Sequence, residues 1–283
     1  ILTTSYADAA GAEAQQKKGY IICLTGTVIW SFTAIFIRYI TDHYALLPLP
    51  LAFWRDLFVF LTLGIVFSVF IPRLTHIRRE HWGFLIAYGL VLSLFNAVWT
   101  LSVAMNGAAV STVLAYSSPG ITAVIGWRVL HEKLGWWKIA AILLSLMGTV
   151  LVADAWRAEY WALKPVGILV GLFSGLGMAG YSLMGRAASS RQINPWSALW
   201  FSFGSASLLL LAYNLFLSPF LPHFLSVQVG GARDLFSLGA SLQGWGLLAA
   251  LAILPTIGGY GLYTVSLGYL PASVANLIAT LEP

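Results

Sequence analysis

The chain has 283 residues, of which 59% are hydrophobic and 9% charged, with a formal net charge of +5 and a mean hydropathy of +0.83. Soluble domains carry about 25% charged residues, so this sequence cannot cover a water-facing surface, which excludes a soluble enzyme, a nucleic-acid-binding domain and a disordered tail. The basic residues fall in short clusters between apolar runs, as in membrane-protein loops, and the single Cys23 excludes a disulfide framework and any Cys-based zinc site.

The stretch 1–16 is small and polar and is expected to be a mobile tail. A hydrocarbon core of about 30 Å takes about 20 helical residues to cross. Apolar runs that meet this need are predicted at 20–40, 48–71, 82–104, 108–127, 136–153, 165–187, 195–217, 244–267 and from 271 onward. The first run follows Lys17 and Lys18, but its length and the spans after it mark a membrane helix rather than a cleaved signal peptide. The connections at 105–107 and 268–270 are very short, and those near 72–81, 128–135 and 188–194 are basic. In the longest connection, 218–243, Pro219, Pro222, Gly230 and Gly231 argue against one continuous helix.

Lysine and arginine stay preferentially on the cytoplasmic side. With the N-terminus inside, that side holds Lys17, Lys18, Arg73, Arg78, Arg79, Arg128, Lys133, Lys138, Arg186 and Arg191. The opposite set is Arg38, Arg55, Arg157, Lys164 and Arg233, so the asymmetry is ten to five.

The sequence also repeats itself. Under a shift of 164 positions, Thr100, Ser102, Ala108, Val110, Ala115 and Pro119 fall on Thr264, Ser266, Ala272, Val274, Ala279 and Pro283, six identities across 99–119. Both copies share a helix, a very short turn, a helix and a proline. The second copy starts five spans after the first, and an odd number inverts it across the membrane, the arrangement of many secondary transporters. The first copy continues through a basic loop and a fifth span, so a tenth helix is expected to follow Pro283 in the complete protein. The initial Ile1 also fits a trimmed fragment.

The segment 128–151, RVLHEKLGWWKIAAILLSLMGTVL, resembles the end of an EamA repeat of the drug/metabolite transporter superfamily. Leu281, Glu282 and Pro283 resemble the LEP that leads into that family's last helix, and Pro50 to Arg55 resembles the start of the repeat's second helix. The resemblance covers 20–283. It implies an all-α membrane protein, a ten-helix bundle of two inverted five-helix halves around a substrate cavity, with the tenth helix absent from this chain. The expected organisation is a polar tail at 1–19, a first repeat at 20–153, a linker at 154–164 and an incomplete second repeat at 165–283. The aromatic content is similar to that of the amino-acid exporters, including the aromatic amino-acid exporter. Ser118 stands where the second copy has Glu282, so an acidic role there is not symmetric.

Polar groups retained inside a membrane usually face the bundle interior or a cavity. On the third span Tyr88, Leu92, Asn96, Trp99 and Val103 form one stripe at helical spacing, and on the eighth span Thr256, Tyr260 and Tyr263 form another. These stripes read either as cavity walls or as interhelical packing. Trp30, with Tyr181 in a related place on the sixth span, carries the same two readings. Thr112 and Tyr116 correspond to Asn276 and Thr280, and Asn276 is a candidate for the substrate or for a helix–helix hydrogen bond. Arg38 and Arg55 are expected to snorkel to the outer interface. For Arg55, adjacent Asp56 is discounted because successive helical residues do not face each other. Glu282, expected near the outer end of the ninth span, is a candidate for a substrate amine, a proton or a structural helix end. His131, Glu132 and Lys133 read as a solvated turn.

Gly175, Gly177 and Gly180 spell G-x-G-x-x-G, yet no strand precedes them. The dinucleotide fingerprint needs a strand–turn–helix, so with Gly171 they are expected to permit close helix packing. The sequence contains no Walker A motif and no His-Glu-x-x-His, and no cofactor or metal is expected. The reading is an alternating-access exporter of small organic metabolites, amino acids foremost, in the bacterial inner membrane with its N-terminus cytoplasmic. Its expected partners are a small-molecule substrate and the lipid bilayer, and no nucleic acid. An intramembrane enzyme acting on a lipid or isoprenoid is the first alternative, but it predicts acidic or histidine clusters at one membrane face, and none is found. A channel or receptor is the second, disfavoured by the repeat.

Overall fold

The computed structural model describes residues 2–129, 131, 133–152, 156–157, 165–217, 220–221, 223, 226 and 229–282. Glu132, Lys164, Pro283 and most of the 154–164 linker lie outside the described residues. Among the described residues the fold is all-helical. Its elements are α1 (Leu2–Trp30), α2 (Phe32–Tyr44), α3 (Pro48–Phe70), α4 (Trp82–Ala115), α5 (Ser118–Val129), α6 (Trp136–Val152), α7 (Pro165–Ser190) and α8 (Pro195–Phe216), then α9 (Leu242–Leu251), a π-helical stretch (Ala252–Tyr260), α10 (Gly261–Ser266) and α11 (Ala272–Ala279). Among these residues, six helical stretches are long and apolar enough to cross a membrane: Glu13–Tyr44, Pro48–Phe70, Arg79–Val103, Val166–Ser190, Pro195–Phe216 and Leu242–Ser266.

The helix boundaries have local causes. Proline is pre-organised for the first helical position, where its missing N–H costs nothing, and it opens α3 and α8. At α8 the Asn194 side chain also accepts from Trp196 N at 2.9 Å. Gly107 sits at φ +75°, where a side chain would be strained, and it turns the chain within α4 at the expected 105–107 connection. One span expected to be continuous is interrupted: the 108–127 run breaks at Tyr116 and Ser117, before Pro119. The helix that starts at Ala272 ends at Ala279 and passes through a turn at Thr280 and Leu281 to Glu282. The 244–267 run carries the π-helical stretch because Pro255 has no N–H to give Leu251, four residues back. The Thr256 hydroxyl donates to that carbonyl instead, at 2.8 Å. Helical structure in α1 starts at Leu2, within the stretch expected to be a tail.

Helices from the earlier and later parts of the chain interlock. α4 packs along α7, α3 along α8, α1 along the π-helical stretch and α10, and α5 against α11. The contacts of α7 explain its glycines: a Cβ on Gly177 would meet the Phe95 backbone at 3.0 Å. Basic side chains gather at one end of the bundle. Lys18 lies over the Tyr269 ring at 5.4 Å, Arg191 over Phe84 at 4.1 Å, and Arg186 donates to Leu267 O at 2.8 Å. Lys138 reaches Ser273 Oγ at 2.8 Å, and Ser197 ties the start of α8 to Leu74 in the basic 72–81 connection. At the other end Asn214 donates to Leu49 O at 3.2 Å and Trp54 to Leu235 O at 2.6 Å.

Candidate functional site

Between these ends lies a narrow central cavity of about 50 Å³. α1 and α2 bring Trp30 and Thr33 to it, α3 brings Arg55, and α4 brings Phe95, Asn96, Trp99, Thr112 and Ala115. Tyr116 joins from the break after α4, Met178 from α7, Tyr260 from the π-helical stretch and Glu282 from the turn after α11. The interruption after α4 and the turn after α11 thus deliver a phenol and a carboxylate to one place, and the Tyr116 hydroxyl donates to Glu282 Oε2.

The charged core of the site is a three-residue network. Arg55 is 2% exposed and Asp56 is fully buried. Arg55 Nε donates to Asp56 Oδ1 at 3.1 Å, and Asn96 Nδ2 donates to Asp56 Oδ2 at 2.7 Å. Arg55 Nη2 also lies within ion-pair range of Asp56 Oδ1, at 3.1 Å. It nevertheless makes no hydrogen bond, and neither does Thr33 Oγ1, another buried polar atom on a cavity-lining residue. A guanidinium with a free N–H is a ready donor to a carboxylate or other planar anion. The walls are aromatic: Trp30 and Tyr260 have ring centroids 4.3 Å apart.

Two placements correct the expectations. Arg55 does not snorkel: it turns inward, buried, and its partner is the adjacent Asp56, also buried. Glu282, expected near the outer end of its span, stands three residues past the end of α11 and lines the central cavity. Arg38 is exposed and pairs with Asp42 at 3.6 Å.

Trp30, Asn96, Trp99, Tyr116 and Tyr260 come together as cavity lining. Tyr88, Tyr181 and Tyr263 do not reach it; all three are fully buried. Tyr263 bonds Ser182 at 2.7 Å and Tyr181 bonds Thr264 at 3.0 Å. The Tyr181 and Tyr88 rings continue the aromatic column from Tyr260 (5.5 and 5.0 Å steps) towards the basic end, and the Tyr263 ring meets Trp30 at 5.5 Å. Asn276 lies between Ser118 and Thr122 at 3.1 and 2.9 Å, joining α11 to α5. Sequence reasoning missed Asp56 as the partner of Arg55, and missed Thr33 and Met178. Met178 stands three residues from Tyr181 on α7, a spacing that shares a face, and Thr33 stands just past the turn at Ser31 that separates it from Trp30.

The EamA-like transporter family matches residues 17–153. The chain is similar to an uncharacterized transporter, YwfM, of Bacillus subtilis (strain 168), 25% identical over 238 residues that cover 83% of this chain and 73% of that protein. It is also similar to the uncharacterized transporter sll1319 of Synechocystis sp., 26% identical over 165 residues, 56% of this chain and 49% of that one. A solved crystal structure, 19% identical, superposes with a TM-score of 0.67 over 94% of this chain and 85% of its own, a likeness of fold. The match over 17–153, the similarity to two proteins named as transporters and the all-helical membrane fold agree, and together they support an EamA-type assignment within the drug/metabolite transporter superfamily.

Proposed function

We propose that this chain exports small organic metabolites, amino acids foremost, by alternating access through the central cavity. The observation that carries the reading is the gathering of complementary groups in one buried place: Arg55 with a free Nη2, Glu282, and the walls Trp30, Trp99 and Tyr260. An α-carboxylate fits the guanidinium, and an ammonium fits Glu282 or an aromatic face. An apolar or aromatic side chain fits the indole and phenol walls, in the usual pattern of apolar lining with few placed polar groups.

A cavity of about 50 Å³ holds only a few waters, so an amino acid enters only when the walls part. Tyr88, Tyr181 and Tyr263 form a buried aromatic plug on the side towards the basic end. With that end cytoplasmic, loading from the cytoplasm requires the plug to separate. The repeat under a shift of 164 positions supports two inverted halves, 20–153 and 165–283. Because helices of the two halves interlock, the bodies that rock are helix pairs drawn from both. The bacterial relatives support a bacterial inner-membrane location.

Counterflow in proteoliposomes tests the reading. The full-length protein should exchange labelled phenylalanine or leucine against unlabelled amino acid. A hydrogen bond to a charged group contributes about 1.5–3 kcal/mol, so Arg55→Lys, which keeps the charge and loses the fork, should weaken apparent affinity by roughly tenfold or more. Decarboxylated amines should exchange far more slowly than their parent amino acids. Equal exchange of amines and amino acids would remove Arg55 as the carboxylate anchor, and no exchange of any amino acid would defeat the substrate class.

A further inference from the structure

We propose that a lateral groove between α3, α4 and α8 binds a phospholipid with an anionic headgroup, seated on the basic 72–81 connection. The groove has a volume of about 510 Å³, far larger than the central cavity. Leu57 and Phe60 of α3 form one wall, and Trp200, Phe201 and Leu208 of α8 the other. Thr75, His76, Ile77 and Trp82 close its end at the basic connection.

The construction of the groove favours a hydrocarbon chain. The Phe60 and Trp200 rings stack at 5.4 Å with planes 10° apart. Trp200 Nε1 is satisfied by Phe60 O at 3.1 Å, so its remaining indole surface is apolar. Gly204 makes room for the Phe60 ring, into which a Cβ at this position would run at 2.6 Å. The dimensions agree. Leu57 lies thirteen residues before the end of α3 at Phe70, about 20 Å at 1.5 Å per residue. One leaflet of a bilayer core is about 15 Å deep, so the groove runs from the interface to about the bilayer centre.

The headgroup end is positively charged. The connection carries Arg73, Arg78 and Arg79 against one carboxylate, Glu80, and Glu80 is already engaged by Arg78 at 3.0 Å. Arg73 and Arg79 are exposed, and among the described residues neither has a carboxylate within ion-pair range. Two uncompensated arginines beside an apolar groove complement a net negative headgroup; a zwitterionic headgroup brings an opposing charge of its own. A second copy of the chain is a poorer occupant, since a twofold contact sets the same patch against itself and opposes two basic rims. This site is separate from the central cavity, and the inference does not rest on the proposed substrate.

The test uses the full-length protein in a Cys23→Ser background with Leu208→Cys, an exposed groove residue, labelled with bimane. It is reconstituted in vesicles containing brominated phosphatidylglycerol or brominated phosphatidylcholine. Near a membrane surface each arginine contributes about 1 kcal/mol with anionic lipid, roughly fivefold in association. Quenching should therefore favour phosphatidylglycerol several-fold, and Arg73→Gln with Arg79→Gln should bring the two lipids to parity while both still quench. Equal quenching in the parent protein would overturn the proposal, as would no quenching by either lipid, the result for a groove covered by a second copy. If the labelled variant fails to fold, native mass spectrometry of the unlabelled protein decides instead: it should retain phosphatidylglycerol over phosphatidylcholine, and equal retention would overturn the proposal.

Discussion

Arg55 and Asp56 are sequence neighbours, and on a helix such neighbours do not face each other. Burial overrides that rule here. With exposures of 2% and 0%, neither group can reach water, and the long arginine stem folds back so that Nε meets Oδ1 at 3.1 Å. Removing one partner of a buried pair leaves an uncompensated charge, at a cost of about 3–5 kcal/mol. Asp56→Asn should therefore lower stability by that order in thermal unfolding of the detergent-solubilised protein, and Asn96→Leu by about 1–3 kcal/mol through its lost bond to Asp56. An Asp56→Asn protein as stable as the parent would mean that Arg55 has another counter-ion. The aromatic candidates divide in the same way. Trp99→Ala should impair transport per folded molecule, since Trp99 lines the cavity. Tyr263→Phe should cost about 1 kcal/mol through its lost bond with Ser182 and leave transport per folded molecule near normal. Helical spacing placed Tyr88, Asn96 and Trp99 on one stripe, but spacing gives the face of a helix and not the depth of the cavity beside it.

At the scale of elements, the membrane helices were legible because about 20 apolar residues is a length set by the bilayer. Their interruptions were less so. Pro119 and Pro255 were visible as residues, but whether a proline ends, kinks or widens a helix depends on what takes up the orphaned carbonyl. For Pro255 that group is the hydroxyl of Thr256. Close helix approach gives a sharp contrast between two glycines. A Cβ at Gly259 would meet Trp30 Cβ and backbone at 2.8–3.1 Å, whereas Gly148 has nothing within 4 Å. Gly259→Ala should destabilise by about 1–3 kcal/mol, the cost of overpacking. Gly148→Ala should be neutral or stabilising by about 0.5–1 kcal/mol, the usual gain of alanine over glycine within a helix. Thermal unfolding of the two variants side by side measures the difference; equal destabilisation would argue against the α1 contact with the π-helical stretch.

For the whole molecule, the ten-to-five basic asymmetry and the clustering of Lys18, Arg186, Arg191 and Lys138 at one end point the same way. With the N-terminus cytoplasmic, cysteines placed at His76 and His131 in a Cys23→Ser background should resist an impermeant reagent in sealed cells and react after permeabilisation. Labelling of both in sealed cells would reverse the orientation. That result would also reverse which side the buried aromatic plug closes, and with it the direction of the proposed loading step.

What the sequence determined by itself was the solvent, the helix class and the resemblance to a transporter repeat. These follow from totals and periods: too little charge for a water-facing surface, apolar runs of bilayer length, and motifs of the EamA repeat in order. The tertiary structure decided which polar groups meet. Asn96 reaches Asp56 across 40 positions and Tyr116 reaches Glu282 across 166, and no local pattern encodes a contact of that separation. Burial then selected the partners, because in a low-dielectric interior an unpaired charge costs more than an awkward neighbour. The ion pair, the cavity and the chain turns that supply it are therefore properties of the packed bundle.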